Sequence, residues 1–410
     1  MRILGLLCGA FLLLSGCVTN SGRPLPPQPV LQQTQPQIDP STFPVTPKPV
    51  AYDVLPGWST SNLAPGLSAL RRSCDVFEKR SPQSLLSNNA PWAGRVSDWT
   101  PACAALDVIN DDRSARAVLQ ALFTPVEIVA PDGKSRFTGY FEPTYEARLR
   151  PEPPFTEPVP GHPGDLVTSS GKVYQTLPDG TRREYPIRAD ITRAGVRPLA
   201  YAHPADVFFL QIQGSGRLLL PDGRTLRAAY AANNGQPFRS TANWLMERGW
   251  ISRGEASMQG IRAWMDRTTP ARAREAMNAN PRFVFFTLEP EGDPRLGPNG
   301  SFGVPLTPLG SMAVDLDIHA GGVPMFVQTT APGLGGDWSG LLVSQDTGGA
   351  IKGAVRGDLY FGTGERAGAG ADTVNAPGRL WVLLPTAVAE RMRQPNMARA
   401  SGSRPIVLTP

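Results

Sequence analysis

The sequence predicts a mixed fold, mainly β with some helices (α+β), and three observations lead to this class. Gly (42) and Pro (43) make up roughly a fifth of the 410 residues, which is typical of many turns and short strands. The segments VYQTLPDGTRREY and GRLLLPDGRTLRAAY each place a Pro-Asp-Gly turn between short extended runs, a pattern typical of hairpins. From Phe283 onward the chain has about six short apolar runs with no helical pattern between them, which predicts a small closed barrel.

The N-terminus has the pattern of an export signal. Arg2 precedes the apolar run ILGLLCGAFLLL, which is too short to be a stable membrane span, and LSGC, ending at Cys17, follows it. LSGC resembles the lipobox of bacterial lipoproteins, which implies cleavage before Cys17 and lipid attachment to its sulfur. Val18, rather than Asp, follows the cysteine, and by the same analogy this implies the outer membrane. Residues 1–17 are therefore predicted to be a lipoprotein signal. The alternative is an ordinary secretory signal that contains a cysteine by chance.

Residues 18–50 predict an extended tether, because a segment rich in Pro, Gln, Ser and Thr cannot bury a core. Roughly thirty such residues reach up to about 90 Å as polyproline II, at about 3.1 Å per residue. After cleavage the chain would keep Cys17, Cys74 and Cys103. Cys74 and Cys103 could pair in an oxidising compartment, but their positions in the sequence do not establish that their Cα atoms come close enough.

The elements after the tether follow from the spacing of apolar residues. Helical spacing predicts helices in APGLSALRRSCDVF and ALDVINDDRSARAVLQALF, and alternation predicts a strand in FTGYFEPTYEARLR. VFFLQIQGSGRLLL predicts a strand pair around its Gly-Ser-Gly turn. Residues 240–280 predict helices, with Ser240 as one N-cap and Thr269-Pro270 as an N-cap and first-turn pair. The C-terminal strands are predicted in FVFFTL, SMAVDLDI, PMFVQTT, SGLLVSQDT, AIKGAVRGDLYF and RLWVLLP.

Composition and motifs exclude several function classes. A net charge of +5 suits an anionic polymer or a membrane surface, but no dense basic patch interleaved with aromatics indicates nucleic acid. None of the three histidines has a metal-ligand spacing and no CxxC occurs, so we predict no metal site. The sequence also has no GxSxG elbow, Walker A loop or dinucleotide-binding GxGxxG, so we predict no cofactor. Carboxylates remain as the candidate chemistry.

Three C-terminal aspartates are the candidate catalytic residues: Asp315, Asp346 and Asp358. Each lies at the end of an apolar run or just after one, and such positions gather at one rim of a small barrel. A carboxylic acid between apolar walls, or near another carboxylate, has a raised pKa, which suits a general acid near neutral pH. The pattern alone leaves an alternative, because Asp-Thr-Gly and Gly-Asp are also common in turns.

Long segments of the chain resemble one family. They are TGYFEPTYEAR, YPIRADI, FFLQIQGSGRL, YAANNGQPFRS, SMQGIRAWM, NPRFVFF, GPNGSFGVPLTPLGSMAVD, QDTGGAIKGAVRGDLYFGTG and GRLWVLLP. Together they are similar, over about residues 65–390, to the membrane-bound lytic murein transglycosylase A (MltA) family. This resemblance implies a double-psi β-barrel, the 3D domain named for three aspartates, with a second barrel-like β domain inserted and a substrate groove between them. The resemblance implies that the catalytic domain comprises residues 51–145 and 288–395, and that the second of these ranges forms the 3D barrel. Residues 146–287 would form the insert.

The resemblance also implies an activity. Members of the family cleave the β-1,4 bond between N-acetylmuramic acid and N-acetylglucosamine in peptidoglycan without water and leave a 1,6-anhydromuramyl end. Asp358 matches the family's catalytic aspartate, acting as acid and then as base, and Asp346 and Asp315 would support it. Peptidoglycan glycan strands would be the substrate, and the lipid anchor would hold the chain on the periplasmic face of the outer membrane, within reach of other wall enzymes.

Polar amides and aromatic faces commonly line polysaccharide grooves, and the sequence offers candidates for both. They are Gln211, Gln213, Ser215, Asn233, Asn234, Gln236, Tyr140 and Tyr360. A structural amide or a core aromatic is the alternative at each position, and the family motif does not require the nearby Glu142. Three other functions stay open: an inverting hydrolase that uses Asp346 and Asp358 as a pair, a non-catalytic wall-binding lipoprotein, and a metal-assisted site built from the three aspartates.

Overall fold

The fold is described from a computed structural model of the chain, over residues 46–106, 109, 111–191 and 195–393. These residues belong to the second of two units in the chain, Ile38–Pro410. The predicted signal sequence, the lipidation site Cys17 and nearly all of the predicted tether lie outside the described residues. Within the described ranges, no helix has both the length and the apolar character that a membrane span requires.

Helices and strands both contribute substantially, so the predicted mixed α+β class is confirmed. The helices are α1 (Ala64–Phe77), α2 (Val96–Leu106), α3 (Asp112–Leu122), α4 (Pro204–Gln213), α5 (Thr241–Glu247), α6 (Met258–Arg267), α7 (Pro270–Asn278), α8 (Glu365–Ala371) and α9 (Thr386–Arg393). The strands are β1 (Thr46–Pro49), β2 (Phe123–Val129), β3 (Arg136–Glu142), β4 (Thr144–Glu146), β5 (Glu157–Pro160), β6 (Leu166–Ser169), β7 (Lys172–Thr176), β8 (Arg182–Glu184), β9 (Pro198–Ala202), β10 (Gly216–Leu219), β11 (Thr225–Asn233), β12 (Val284–Pro290), β13 (Ser311–Ala313), β14 (Pro324–Ala331), β15 (Gly336–Asp346), β16 (Arg356–Thr363), β17 (Asn375–Ala376) and β18 (Gly378–Pro385).

Nine strands form the largest sheet, in the order β1-β2-β18-β14-β15-β13-β16-β3-β17. The β13–β15 and β3–β16 pairs are parallel, and the other neighbours are antiparallel. Among the described strands the hydrogen-bonded order is open, with β1 and β17 at its edges, so the predicted closed barrels are not seen.

The C-terminal block is also not free of helices, because α8 separates β16 from β17. The glycines of ERAGAGA obscured this helix in the sequence. Their lack of a side chain is what lets the helix lie directly on the sheet, since a Cβ built at Gly368 would lie 2.7 Å from the Phe141 ring. The helix therefore covers the β3–β16 pair.

Helices α1 and α2 form a layer that packs against β15, the strand that ends at Asp346. A Cβ built at Gly66 of α1 would lie 2.3 Å from the carbonyl oxygen of Leu341, so α1 lies directly on β15. The disulfide Cys74–Cys103 joins α1 to α2, with 5.5 Å between the two Cα atoms. Near the end of β15, the side-chain amide of Gln345 donates to the Ala69 carbonyl at 2.7 Å. The layer thus anchors β15 up to the residue that precedes Asp346.

A second β region is built between β3 and β12. Strands β12, β11, β10 and β4 form a four-stranded sheet, β6, β7 and β8 form a three-stranded one, and β5 pairs with β9. Both predicted Pro-Asp-Gly hairpins are confirmed, as the β7–β8 and β10–β11 pairs. The predicted N-caps are confirmed as well, because Ser240 and Thr269 each accept a backbone hydrogen bond at the start of α5 and α7.

The strand predicted in VFFLQIQ is wrong, because these residues belong to α4. His203 caps this helix by accepting a hydrogen bond from the Ala205 amide, and Pro204 occupies its first turn. Gly214 ends it with a left-handed φ of +84°. These three local signals outweigh the strand preference of the apolar run, which α4 buries between the second β region and α6.

Candidate active site

Asp346 and Asp358 lie on either side of the short strand β13. Ala313 is the register partner of both: of Asp346 on the parallel β15 and of Asp358 on the antiparallel β16. Both aspartates line one cavity of about 220 Å³. The sheet topology therefore brings together two of the three predicted aspartates, although twelve positions separate them in the sequence.

Asp358 has one carboxyl oxygen held by the protein. Thr138, its register partner on β3, donates its hydroxyl to Asp358 Oδ1, and Arg356 Nη2 donates in turn to Thr138 Oγ1 at 2.9 Å. Burial raises the pKa of Asp358, and the charge of Asp346 raises it further, while Thr138 and Arg356 lower it to a lesser extent. Asp358 therefore keeps its proton to a higher pH than an ordinary aspartic acid does.

Asp346 is held at both carboxyl oxygens. Tyr140 donates its hydroxyl to Oδ2 at 2.9 Å, and the backbone amide of Ser301 donates to Oδ1 at 3.0 Å. Burial raises the pKa of Asp346 in spite of these bonds. Burial and the nearby Asp346 also raise the pKa of Tyr140 well above its usual range, so its hydroxyl stays a donor. Both carboxyls of the cavity are thus biased towards their neutral form.

Asp315, the third predicted aspartate, does not line the cavity. Its carboxylate accepts hydrogen bonds from Lys352 Nζ at 3.0 Å and from the Gly353 amide at 2.9 Å. Burial alone would raise the pKa of Asp315, but these bonds and that of the Asp317 amide lower it below the usual value. Asp315 thus lies outside the pair of aspartates that line the cavity, and its carboxylate fixes the turn before β16.

Three of the eight predicted substrate-binding residues line the cavity: Tyr140, Gln211 and Gln213. Gln211 is already engaged, because its amide nitrogen donates to the Val284 carbonyl at 3.0 Å and its oxygen accepts from Arg188. Gln213, at the end of α4, is partly exposed to the cavity. Tyr140 presents its side chain there while its hydroxyl holds Asp346.

The other five candidates do not line the cavity: Ser215, Asn233, Asn234, Gln236 and Tyr360. Tyr360 is fully buried and packs on Tyr140 with 5.2 Å between ring centroids, so it cannot offer a face to a sugar. Asn234, also buried, donates to the carbonyls of Pro186 and Pro281 and is a structural amide. Tyr360 is thus a core aromatic and Asn234 a structural amide, which is the alternative that the sequence leaves open at each position.

Asn233, Gln236 and Ser215 also have structural surroundings. The Asn233 side-chain oxygen accepts from the Gly235 amide at 2.8 Å, which closes a turn. The Gln236 side chain donates to the Tyr185 carbonyl at 2.9 Å, and Ser215 is buried between α4 and β10. These three residues therefore have structural contacts within the second β region.

Glu142 belongs to a buried ion cluster. Its carboxylate accepts from Arg217 Nε at 3.0 Å and Arg227 Nε at 2.7 Å, and from the Thr363 hydroxyl at 2.9 Å. The two arginines lie on β10 and β11, Glu142 ends β3, and Arg217 also pairs with Glu291. This cluster, which we call the Glu142 cluster, joins the second β region to the large sheet.

Sequence reasoning missed three residues at the site: Thr138, Arg282 and Arg356. Thr138 had a usable signal, since it lies two residues before Tyr140 in an alternating strand and so shares its face. Arg356 had the same signal, since it lies two residues before Asp358 on the same strand. Arg282, which also lines the cavity, had no signal, because it lies between elements where no periodicity applies.

The described histidines do not contribute to the cavity. His319 is fully buried and bonded through Nε2 to the Ala354 carbonyl at 2.7 Å, and burial lowers its pKa. His203 caps α4. Across the described ranges, no group of three or more His, Cys, Asp or Glu side chains is arranged to hold a metal ion.

Comparison with known proteins places both halves of the cavity in recognised domains. Residues 136–287 match a family described as the MltA specific insert domain, and residues 310–384 match the 3D domain. The first range supplies Tyr140, Gln211 and Arg282, and the second supplies Asp346 and Asp358.

The chain is similar to proteins from several bacteria. It is 35% identical over 260 residues to membrane-bound lytic murein transglycosylase A of Vibrio cholerae, a match covering 61% of this chain and 66% of that protein's length. Solved structures are similar to it as well, among them the following two. A membrane-bound lytic murein transglycosylase from Agrobacterium tumefaciens has a TM-score of 0.73 and 26% identity over 84% of this chain and 99% of the other. The lytic transglycosylase LtgG of Burkholderia pseudomallei has a TM-score of 0.55 and 35% identity over 83% and 95%.

Proposed function

Because the chain belongs to the membrane-bound lytic murein transglycosylase A family, we propose that it cleaves the β-1,4 bond between N-acetylmuramic acid and N-acetylglucosamine in peptidoglycan. The glycan strand lies in the cavity between the insert and the 3D domain. One observation carries this proposal: Asp358 lines that cavity with a raised pKa, and among the described residues only one of its carboxyl oxygens accepts a hydrogen bond.

Asp358 acts first as an acid and then as a base. In the protonated form it donates from Oδ2 to the glycosidic oxygen, and the bond between that oxygen and muramyl C1 breaks. The C6 hydroxyl of the same sugar then bonds to C1 and passes its proton to the Asp358 carboxylate, which closes a 1,6-anhydro ring. The proton is recovered and no water is consumed. The attack is intramolecular, which favours it over attack by water from solution.

A two-carboxylate hydrolase is the second candidate, because Asp346 lines the same cavity. An inverting pair would need one ionised base, and it would activate a water between carboxyls roughly 6.5–9.5 Å apart. Burial raises the pKa of Asp346 as well as that of Asp358, which disfavours the ionised base. Asp346 and its donor Tyr140 are therefore better suited to shaping the acid's surroundings than to activating water.

The products distinguish the two reactions. Mass spectrometry of fragments released from purified peptidoglycan is expected to find 1,6-anhydromuramyl ends, which are one water lighter than reducing ends. Fragments with only reducing ends would instead establish hydrolysis. A chain that binds the wall but releases no fragments would be a wall-binding protein, and the proposed reaction would be wrong.

Thr138 gives a prediction for the pH dependence. Its hydroxyl bond stabilises the ionised form of Asp358, so Thr138→Val should raise the pKa of that acid. Because the first step needs the protonated acid, activity is lost as pH rises through this pKa, and the variant's alkaline limb should move to higher pH. Loss of one positioning hydrogen bond should also lower the optimal rate by about 10-fold, or about 1.4 kcal/mol.

The control for this measurement is Thr138→Ser, which keeps the hydroxyl and should retain the wild-type pH profile. Initial rates of fragment release are measured across pH for the three proteins. An alkaline limb that stays in place, or moves to lower pH, in Thr138→Val would show that the bond does not act on the catalytic acid.

We further propose that the chain is a lipoprotein of the outer membrane, facing the periplasm, with its lipid on Cys17 and residues 18–50 as a tether. The export pattern and the membrane-bound relatives support this placement. Cys17→Ala should abolish incorporation of labelled fatty acid and release the protein from the membrane fraction. Unchanged labelling of the variant would contradict the anchor.

A further inference from the structure

Arg282 lies at the junction between the two sides of the cavity. It follows α7, begins the segment that leads into β12, and lines the cavity that contains Asp346 and Asp358. Across the cavity it meets the loop after β15, where a Cβ built at Gly349 would lie 3.5 Å from the guanidinium Nη1. The guanidinium thus comes from the insert and lies against the 3D domain.

The guanidinium of Arg282 has no carboxylate partner among the described residues. Its hydrogen bond is made from Nη1 to the Gln236 carbonyl at 3.3 Å. Arg356, the other arginine lining the cavity, donates within the described part of the chain only to neutral oxygens, including Thr138 Oγ1. Burial of a cation without a counter-ion is unfavourable, and burial lowers the pKa of Arg282 accordingly.

The cavity as a whole is suited to an anion. Two guanidiniums, those of Arg282 and Arg356, line it, and burial raises the pKa of its two carboxyls, Asp346 and Asp358. The backbone of Arg282 is fixed, because its amide donates to Asn280 Oδ1 at 3.3 Å and its carbonyl accepts from Arg188 at 2.6 Å. The start of the side chain is therefore fixed, and among the described residues the guanidinium keeps donors free for the planar, two-point contact that arginine makes with carboxylates.

We propose that Arg282 binds a carboxylate carried on O3 of the muramic acid unit, and thereby makes the site distinguish peptidoglycan from chitin. This inference rests on the proposed function and concerns the same cavity. Muramic acid differs from glucosamine by a lactyl ether on O3, which ends in a free carboxylate or continues into an acidic stem peptide. Chitin has the same β-1,4 linkage and N-acetyl groups but no carboxylate, so it lacks the group that would pair with Arg282.

Binding to an inactive protein tests this inference separately from catalysis. The full chain with Asp358→Asn is titrated with three probes: chitohexaose, glycan strands stripped of peptide, and glycan strands that keep their stem peptides. At low salt, at least one of the two muramyl probes is expected to bind roughly 10-fold more tightly than chitohexaose, and added salt should reduce this difference. Equal affinity for all three probes would overturn the proposal without any further substitution.

Adding Arg282→Gln to this background is expected to weaken binding of the preferred muramyl probe about 10-fold and to change chitohexaose affinity less than about 2-fold. Arg282→Lys should lie between, because lysine keeps the charge without the two-point geometry. Arg239→Gln, an exposed arginine that does not line the cavity, is the matched control and should leave all affinities unchanged.

The two muramyl probes identify the source of the carboxylate. Loss confined to stripped strands assigns it to the lactyl group, and loss confined to peptide-bearing strands assigns it to the stem peptide. Equal loss on chitohexaose and muramyl strands would mean that Arg282 only shapes the cavity, and the proposal would be wrong. Failure of the proposed function gives a different result. The wild-type protein would then release no anhydro fragments, whatever Arg282 binds.

Discussion

Asp358→Asn is expected to lower the rate of fragment release from peptidoglycan by about 10³-fold or more. Proton transfer by one positioned side chain contributes roughly 10²–10⁴-fold, and in the proposed mechanism one carboxyl serves both transfers. The amide keeps the shape of the side chain but can neither donate to the glycosidic oxygen nor accept from the C6 hydroxyl as a carboxylate does. Single-turnover rates on purified peptidoglycan, with fragments quantified by mass spectrometry, measure the effect.

The stability of the same variant separates lost chemistry from lost folding. The folded state raises the pKa of Asp358, so the folded protein favours the protonated acid, and ionisation above the ordinary pKa of about 3.9 destabilises it. Near neutral pH, Asp358→Asn should therefore unfold at the same temperature as wild type or a higher one. Asp337→Asn, an exposed aspartate on β15, is the control and should keep full activity. Retention of more than about a tenth of the wild-type rate by Asp358→Asn would contradict the mechanism.

The second large effect is expected on stability, at the Glu142 cluster. Glu142→Gln removes the carboxylate shared by Arg217 and Arg227, all three being buried. Arg217 keeps Glu291 as a partner, but Arg227 loses its only carboxylate among the described residues. Breaking one partner out of a buried ion pair typically costs about 3–5 kcal/mol, because a charge stays buried and uncompensated. Urea unfolding should show a loss of this size in the free energy of unfolding.

Two further variants test the physical reason for this loss. Adding Arg227→Met to Glu142→Gln should restore part of the stability, since the stranded cation is then replaced by an apolar side chain. Glu289→Gln, an exposed glutamate on β12, should stay within about 0.5 kcal/mol of wild type. If Glu142→Gln lowers the free energy of unfolding no more than Glu289→Gln does, the Glu142 cluster does not stabilise the contact between the second β region and the large sheet.

The sequence predicted local elements where a cap or turn residue coincided with a clear period. APGLSALRRSCDVF became α1, and both Pro-Asp-Gly segments became hairpins, because their signals lie within a few residues. The apolar residues of FFLQIQ fit the period of a strand and the period of a helix alike, so their spacing does not distinguish the two. The cap at His203 favours the helix that the structure shows. The sequence predicts a closed barrel, whereas the sheet is open. Whether the edge strands of a sheet meet depends on the strand twist and on the helices that cover the sheet, and the number of strands does not specify either.

The same contrast applies to the candidate site. Resemblance identified Asp346 and Asp358, and the structure brings both to one cavity. Asp315 shares their apolar flanks, but hydrogen bonds from the Gly353 amide and from Lys352, thirty-eight and thirty-seven positions away in the sequence, lower its pKa. The roles of Thr138 and Arg282 depend on cross-strand register and on a loop contact, and neither is encoded by neighbours along the chain.

Strand β3 presents Thr138, Tyr140 and Glu142 on one face, at successive alternate positions. Thr138 donates to Asp358, Tyr140 donates to Asp346, and Glu142 accepts from Arg227 of the insert. The position of the insert and the hydrogen bonds at the two cavity carboxyls are therefore coupled, because one strand carries the residues that fix both. A substitution that tilts the insert would also shift the side chains that hold Asp346 and Asp358.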